Sequence, residues 1–328
     1  MPFELGVPDT EVGHTTLATH DVVGPVTTKG AAMGKKGKKG QAGKPKKLTP
    51  KDVGKRLNAL AKNLDEELKA GADLFAPLPP TEDCAICLVP MSRLDSGKIY
   101  QWCCGNEICG ACHKENQAAI KKQNEGKNAG KKLPFTCPFC REREPTRAKE
   151  EYAQIQARFL QNDHIAITEM GERYRRGVKG VAKDDLKALD CFIQAVELGS
   201  AAASTNIGDI YAGGNGLAVD EERAALFWKI GALRGEICAR HNIGFYEYDF
   251  FGHHEIGIRH WKIAAEGGSQ PSLDALKSIY NADGKMPGKE FISEECMDSL
   301  YRVCHDAQME VKTEEREKHC NDADNMKC

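Results

Sequence analysis

Apolar residues first fall into a helical rhythm at Val53, Leu57, Leu60, Leu64 and Leu68, spaced by three and four just after Thr49-Pro50. A hydroxyl followed by proline is a helix-start signal, so residues 49–76 are expected to hold one amphipathic helix whose stripe needs a partner surface. Upstream, residues 1–48 are rich in Gly, Lys, Thr and Ala without sustained periodicity, and are expected to form a disordered basic arm. The run PLPPTED, Pro77 to Asp83, ends the helical segment. Helical patterning returns in TRAKEEYAQIQARFLQND, read as a linking helix over residues 146–163.

From residue 164 the pattern repeats. MGERYRRGVKGVAKDDLKALDCFIQAVELGS, starting at Met170, aligns with IGDIYAGGNGLAVDEERAALFWKIGALRGE, starting at Ile207. Gly171 corresponds to Gly208 and Gly244, Tyr174 to Tyr211, Gly180 to Gly216, and Gly199 to Gly235 and to Gly267 or Gly268. The period, roughly 33 to 37 residues, is that of a helix-pair solenoid. Each unit is expected to run as a helix, a Gly-rich turn, and a second helix opened by Asp184 or Asp220 and closed at glycine. One pair cannot bury its apolar faces alone, so neighbours must stack. The third unit keeps Trp261 and Ala264-Ala265 without the glycine turn, which predicts a shorter loop; the fourth, from Pro271, is reduced to LKSIY and YR and reads as a cap. Repeats are thus assigned to residues 164–305, with a helix end and tail over 306–328. His253, His254 and His260 lack cysteines or carboxylates at ligand spacing and read as surface histidines.

This register resembles Sel1-like repeats, relatives of the tetratricopeptide class. The best copy runs from Ala203 to Gly235, where Ile207-Gly208, Tyr211, Gly214, Gly216, Asp220, Ala224, Trp228, Ala232 and Gly235 fill the pattern and Gly231 replaces an alanine. The resemblance implies a mainly α chain with an α-helical solenoid that binds protein partners.

Over 328 residues, 41% are hydrophobic and 29% charged, and the net charge of -2 gives the whole molecule no field that would draw nucleic acid. Positive charge is local, between Lys29 and Arg56. Its KKGKK and KPKK runs suit a solvating arm, with nuclear import or nucleic-acid contact as sharper alternatives. Nucleic acid is not the expected partner. Charges break every apolar run well short of the roughly 20 residues a membrane span needs, so no membrane association is expected. The opening MPFELGVPDTEVGHTT has no basic region followed by an apolar core, so the expected location is cytoplasmic or nuclear, not secreted.

In such a reducing setting the 14 cysteines matter most. Cys84, Cys87, Cys103, Cys104, Cys109, Cys112, Cys137 and Cys140 crowd into a segment bounded as 80–145, while the rest scatter through the helical region and read as small core residues. A Cys-x2-Cys knuckle lets two thiolates reach one tetrahedral zinc at about 2.3 Å, and eight thiolates close two structural sites with no open position. No thioredoxin-like βαβ pattern surrounds the knuckles, which argues against redox catalysis.

The order CAIC, CCGNEICGAC, CPFC resembles a RING finger in its all-cysteine form. The resemblance implies two zinc ions in a cross-brace, one held by Cys84, Cys87, Cys109 and Cys112, the other by Cys103, Cys104, Cys137 and Cys140. The commoner RING pattern has Cys-Gly-His, and here Asn106 falls in the histidine slot, where an amide is a poor ligand. Cys103 is the favoured replacement, provided the backbone turns at Gly105; His113 is the alternative fourth ligand, and an open three-ligand site ranks third. The family likeness further implies a ubiquitin-protein ligase without a nucleophile of its own. It would dock a ubiquitin-conjugating enzyme through Ile86, Pro138 and Arg141 and recruit substrate through the repeats. HKENQAAIKKQNEGKNAGKK, after Cys112, lacks the large aromatic many RINGs carry on that groove. The alternative expectation is a non-catalytic, zinc-stabilised scaffold.

Overall fold

Side-chain caps fix the starts of many helices in a computed structural model that describes residues 49–94, 97–214, 217–282 and 285–309. The basic arm, Gly216 and the tail from residue 310 lie outside the described residues. Thr49 caps α1, Pro50–Lys69, by accepting from Asp52 N–H, and Asp163 does the same for α4, His164–Arg176. Asp184 opens α5, Asp185–Glu197; Ser200 opens α6, Ala201–Gly213; and Asp220 opens α7, Glu221–Leu233. Short polar side chains at these positions satisfy amide groups that the first helical turn leaves free. The remaining helices are α2, Gly110–Gln123; α3, Ala148–Phe159; α8, Ile237–Phe245; α9, His254–Glu266; α10, Gln270–Tyr280; and α11, Glu294–Met309.

The second half is a stack of helix pairs, α4 with α5, α6 with α7, α8 with α9 and α10 with α11, each pair packed on the next. Its spacing is set by one contact made three times. A methyl group added at Gly171 would come within 2.6 Å of the Phe192 ring, at Gly208 within 2.6 Å of Trp228, and at Gly244 within 2.7 Å of Trp261. In each pair a glycine of the first helix lets an aromatic ring of the second lie directly on backbone. The units close at Gly199, Gly235 and Gly268, all in the left-handed region. In the third unit α8 runs on into a π-helical turn, Tyr246–Phe250, and only Phe251 to His253 separate it from α9, the shorter connection expected.

Helix α1 lies on the second helices α5 and α7, and Val53, Leu57, Leu60 and Leu64 join the stack's main core. Arg56 pairs with Asp190 and, at 3.2 Å, with Glu197 of α5. Beyond α1 the chain crosses the stack as an irregular strap with a turn at Asp73 to Ala76. Arg240, buried at 2% exposure, donates to Leu74 O at 2.7 Å and to Ala232 O at 2.8 Å, so one guanidinium ties the strap to the end of α7. Leu78 and Pro79 rest on Gly267 and Gly235, where a methyl would meet each at 2.8 Å.

The strap explains one departure from the sequence reading. His260 is not a surface residue: it is fully buried, with the Phe75 ring 4.9 Å away and neither ring nitrogen hydrogen-bonded. Burial, with Arg240 nearby, pushes its imidazole down to about 3, so it remains neutral. His253 is exposed as expected and pairs with Glu247 at 2.8 Å, while His254 is half-buried. Of the scattered cysteines among the described residues, Cys191 and Cys304 are buried, as small core residues should be, while Cys238 and Cys296 are half-buried. Among the described residues no helix is long and apolar enough to cross a membrane.

Two glycine substitutions test this packing with opposite signs. Gly54 in α1 has open space around it, so Gly54→Ala should stabilise the protein by about 0.5–1 kcal/mol through helix propensity. At Gly171 the same gain meets the Phe192 ring, and overpacking of about 1–3 kcal/mol should reverse it. Urea unfolding midpoints of the two variants should move in opposite directions.

Candidate metal centres

The cysteine segment folds around two short turns of the same kind. In the first, Cys84 N–H donates to Val89 O at 2.9 Å and Leu88 N–H to Cys84 O at 2.9 Å; in the second, Cys137 N–H donates to Glu142 O at 2.8 Å and Arg141 N–H to Cys137 O at 3.1 Å. Leu88 and Arg141, each directly after a knuckle cysteine, have φ of 58° and 63°. The left-handed conformation therefore belongs to the turn, not to one side chain. Strands β1, Lys98–Tyr100, and β2, Glu107–Cys109, form an antiparallel hairpin with Ile99 opposite Ile108. Cys109 ends the hairpin and caps α2, its sulphur accepting from Cys112 N–H at 3.5 Å.

Cys103 and Cys104 lie in the loop between the strands. There the chain turns sharply: Gly105 N–H donates to Gln101 O at 2.7 Å and Gly105 takes φ 81°. The Arg158 guanidinium lies against Gly105 where a Cβ would stand, so a larger residue here would be strained by its φ and would displace Arg158. The turn aims both adjacent cysteines at one point. Cys104 Sγ is 3.7 Å from Cys137 Sγ, and Cys103 Sγ is 3.4 Å from Cys140 Sγ.

Two quartets result, Cys84, Cys87, Cys109 and Cys112, and Cys103, Cys104, Cys137 and Cys140, with the sulphurs of each within 4.8 Å of one another. They interleave along the chain as a cross-brace. Four thiolates at about 2.3 Å from a central ion are about 3.8 Å apart, and the Cys87–Cys109 separation is 3.9 Å. The donor set thus fits a tetrahedral, thiophilic metal ion at both places, with no position left for water.

Electrostatics point the same way. Burial opposes ionisation of Cys84, but N–H donors from Cys109, Cys87 and Ile86 outweigh it and bring the thiol down to about 6. Burial and adjacent sulphurs push Cys103 and Cys112 upward. Four neighbouring thiolates repel one another, and a dication relieves that repulsion.

His113 lies in neither quartet. Its Nε2 is 2.9 Å from Gln117 Nε2 and its Nδ1 is 4.0 Å from Glu144. Asn106 has a role that residue spacing did not disclose: its amide donates to Cys104 Sγ at 3.3 Å, the interaction that stabilises a thiolate. Of the residues assigned to docking, Ile86 is 45% exposed, Arg141 is exposed and Pro138 is half-buried. Leu88 and Val89, exposed at 75% and 58%, extend the apolar surface beside Ile86 and were not singled out by the sequence.

The segment is fastened to the helix stack. Tyr100 donates its hydroxyl to Asp163, the cap of α4, while Arg158 reaches the same carboxylate at 2.6 Å and Trp102 packs against the stack's core. Burial and Asp163 hold the Tyr100 hydroxyl protonated by raising its pKa.

No family model matches this chain, and no curated protein matches it. Solved structures do. A Sel1 repeat protein from Oxalobacter formigenes is 28% identical with a TM-score of 0.42, covering 48% of this chain and 64% of its own. A protective antigen of uropathogenic Escherichia coli displaying an SLR fold is 23% identical with a TM-score of 0.40, covering 47% of this chain and 33% of its own. The chain thus spans less than two thirds of the length of either protein.

Metal counting by elemental mass spectrometry tests the ligand sets. The purified chain should carry two ions, Cys103→Ser one, and His113→Ala two; the opposite outcome for the last two variants would make His113 the ligand.

Proposed function

We propose that the cysteine segment is a RING-type module holding two structural zinc ions, and that the chain acts as a ubiquitin ligase whose helix stack recruits the substrate. The observation that carries this reading is the cross-brace of two closed thiol quartets. All-sulphur tetrahedral coordination favours zinc among common metals, and a site without an open position folds the module but activates no water. Cys84, Cys87, Cys109 and Cys112 would hold one ion, and Cys103, Cys104, Cys137 and Cys140 the other.

In this reading the module does no covalent chemistry. A substrate lysine amine attacks the thioester carbonyl on the conjugating enzyme, an isopeptide bond forms, and the carrier's thiolate leaves. The module contributes position only, by holding carrier and ubiquitin in a reactive pose. Ile86 would supply apolar docking contact, with Pro138 beside the last knuckle. Arg141, held by its turn with the side chain in solvent, would donate to carrier and ubiquitin together.

A second reading, a non-catalytic scaffold, is favoured by the packing of Trp102 against the stack's core, which gives the zinc module a structural use. Partners recovered without ubiquitin transfer would support it.

The test is chain formation by the full-length protein with a panel of ubiquitin-conjugating enzymes. Arg141→Ala should slow transfer by about tenfold or more, the equivalent of one charge-assisted hydrogen bond, without loss of metal. Absence of transfer with every conjugating enzyme would end the ligase reading and leave the scaffold.

A further inference from the structure

Phe75 of the strap covers a fully buried histidine. Its ring lies 4.9 Å from the His260 ring and 3.7 Å from the Arg259 guanidinium, both on α9. His260 is 0% exposed, and neither Nδ1 nor Nε2 has a hydrogen-bond partner. A buried polar group without a partner weakens the fold that holds it, so stability does not explain the choice of histidine. A phenylalanine would place a ring against Phe75 without two unpaired nitrogens.

The charges around the imidazole make a proton there more costly still. Arg259 stands beside it on α9, Arg240 on α8 and Lys229 on α7, three cations that oppose a fourth. The π-helical turn supplies one anion, Glu247, which is already held between Lys229 at 2.9 Å and His253 at 2.8 Å. From the strap comes Asp73, which accepts from the Phe75 N–H at 2.9 Å and attracts Arg240, as does Glu266 of α9. Helices α10 and α11, also packed on α9, turn their charged residues to solvent. His241, half-buried on α8, has its Nδ1 2.8 Å from Ser272 Oγ of α10. Under the closed strap, His260 is held in the neutral form that these surroundings tolerate.

We infer that the strap is an acid-released latch: a proton on His260 is incompatible with the seat of Phe75, so the strap lifts from the stack as the imidazole charges. Lifting gives the imidazole access to water and takes the Leu74 carbonyl off Arg240. It also uncovers Gly235 and Gly267, on which Pro79 and Leu78 rest, and frees the segment that leads into Cys84. The closed form keeps the imidazole down at about 3, whereas the lifted form returns it toward the ordinary 6.5. The closed strap's stability is therefore complete above that ordinary value and lost as pH falls below it. The lifted fraction should rise about tenfold between about pH 7.5 and about pH 5.5. The latch is independent of the role proposed for the cysteine segment.

Hydrogen exchange of the full chain at those two pH values tests it, read by mass spectrometry over residues 70–81 and corrected with the rates of the same free peptide. Protection of the strap should fall about tenfold at the lower pH, while that of α6 stays constant. In His260→Phe, which keeps a ring against Phe75 and binds no proton, strap protection should be the same at both. Phe75→Ala alters the strap rather than the core and serves if His260→Phe does not fold. With the cover gone, the strap should already be open at the higher pH and lose less than about twofold more on acidification. Equal protection of the wild-type strap at both pH values, an equal loss in α6, or a tenfold loss that persists in His260→Phe or Phe75→Ala would overturn the proposal.

Discussion

A ring lying on a glycine backbone sets the distance between the two helices of a unit, and the rest of the molecule inherits that distance. Phe192 on Gly171, Trp228 on Gly208 and Trp261 on Gly244 are the same contact in three successive pairs. Close approach lets Ala224, Ala264 and Ala265 vanish into the core and aligns the second helices into a continuous ridge. On that ridge α1 finds the partner its apolar stripe requires, and the strap finds Gly235 and Gly267, small enough for Pro79 and Leu78. A bulkier residue at any of these glycines would lift what lies above it.

The cysteine module depends on the stack for a different reason. Its own apolar cluster is small, with Met91 and Ile108 the buried residues besides Cys84 and Cys112. A segment of this size offsets little chain entropy with so small a cluster, so its contacts with the stack, and a metal ion at each quartet that could hold one, are where further stability would come from. Asp163 concentrates the outside contacts, since it caps α4, pairs with Arg158 and accepts from Tyr100. Arg158 in turn covers Gly105, the residue whose turn brings Cys103 to Cys140. One cysteine quartet and one joint to the stack therefore share a side chain, Arg158.

Features written in local patterns were legible in the sequence. The α1 stripe, the capping aspartates and the closing glycines each depend on residues a few positions apart, and so does the turn at Gly105. Features made by distant segments were not. His260 is buried because Phe75 reaches it from a strap nearly two hundred residues earlier, and nothing near His260 in the sequence announces that contact. Asn106 was set aside as a non-ligand, yet its N–H serves the sulphur two residues before it. Exposure of Leu88 and Val89 follows from the turn's backbone, which spacing of cysteines alone does not specify.

Charge compensation inside the stack decides which elements its buried ions hold together. Arg173, 1% exposed, meets Glu151 and Glu169 at 2.7 Å each, and through Glu151 it fixes α3 to α4. Arg240 donates from its two terminal nitrogens to two carbonyls, one of them in the last turn of α7, where partial negative charge gathers. Glu247 sits between Lys229 at 2.9 Å and His253 at 2.8 Å, and these partners keep it ionised against its burial. Each of these charges has an opposite charge or dipole within its own fold. Each buried charge is thus a joint between elements, Arg173 holding α3 to α4, Arg240 the strap to α7 and Glu247 the π-helical turn to α7.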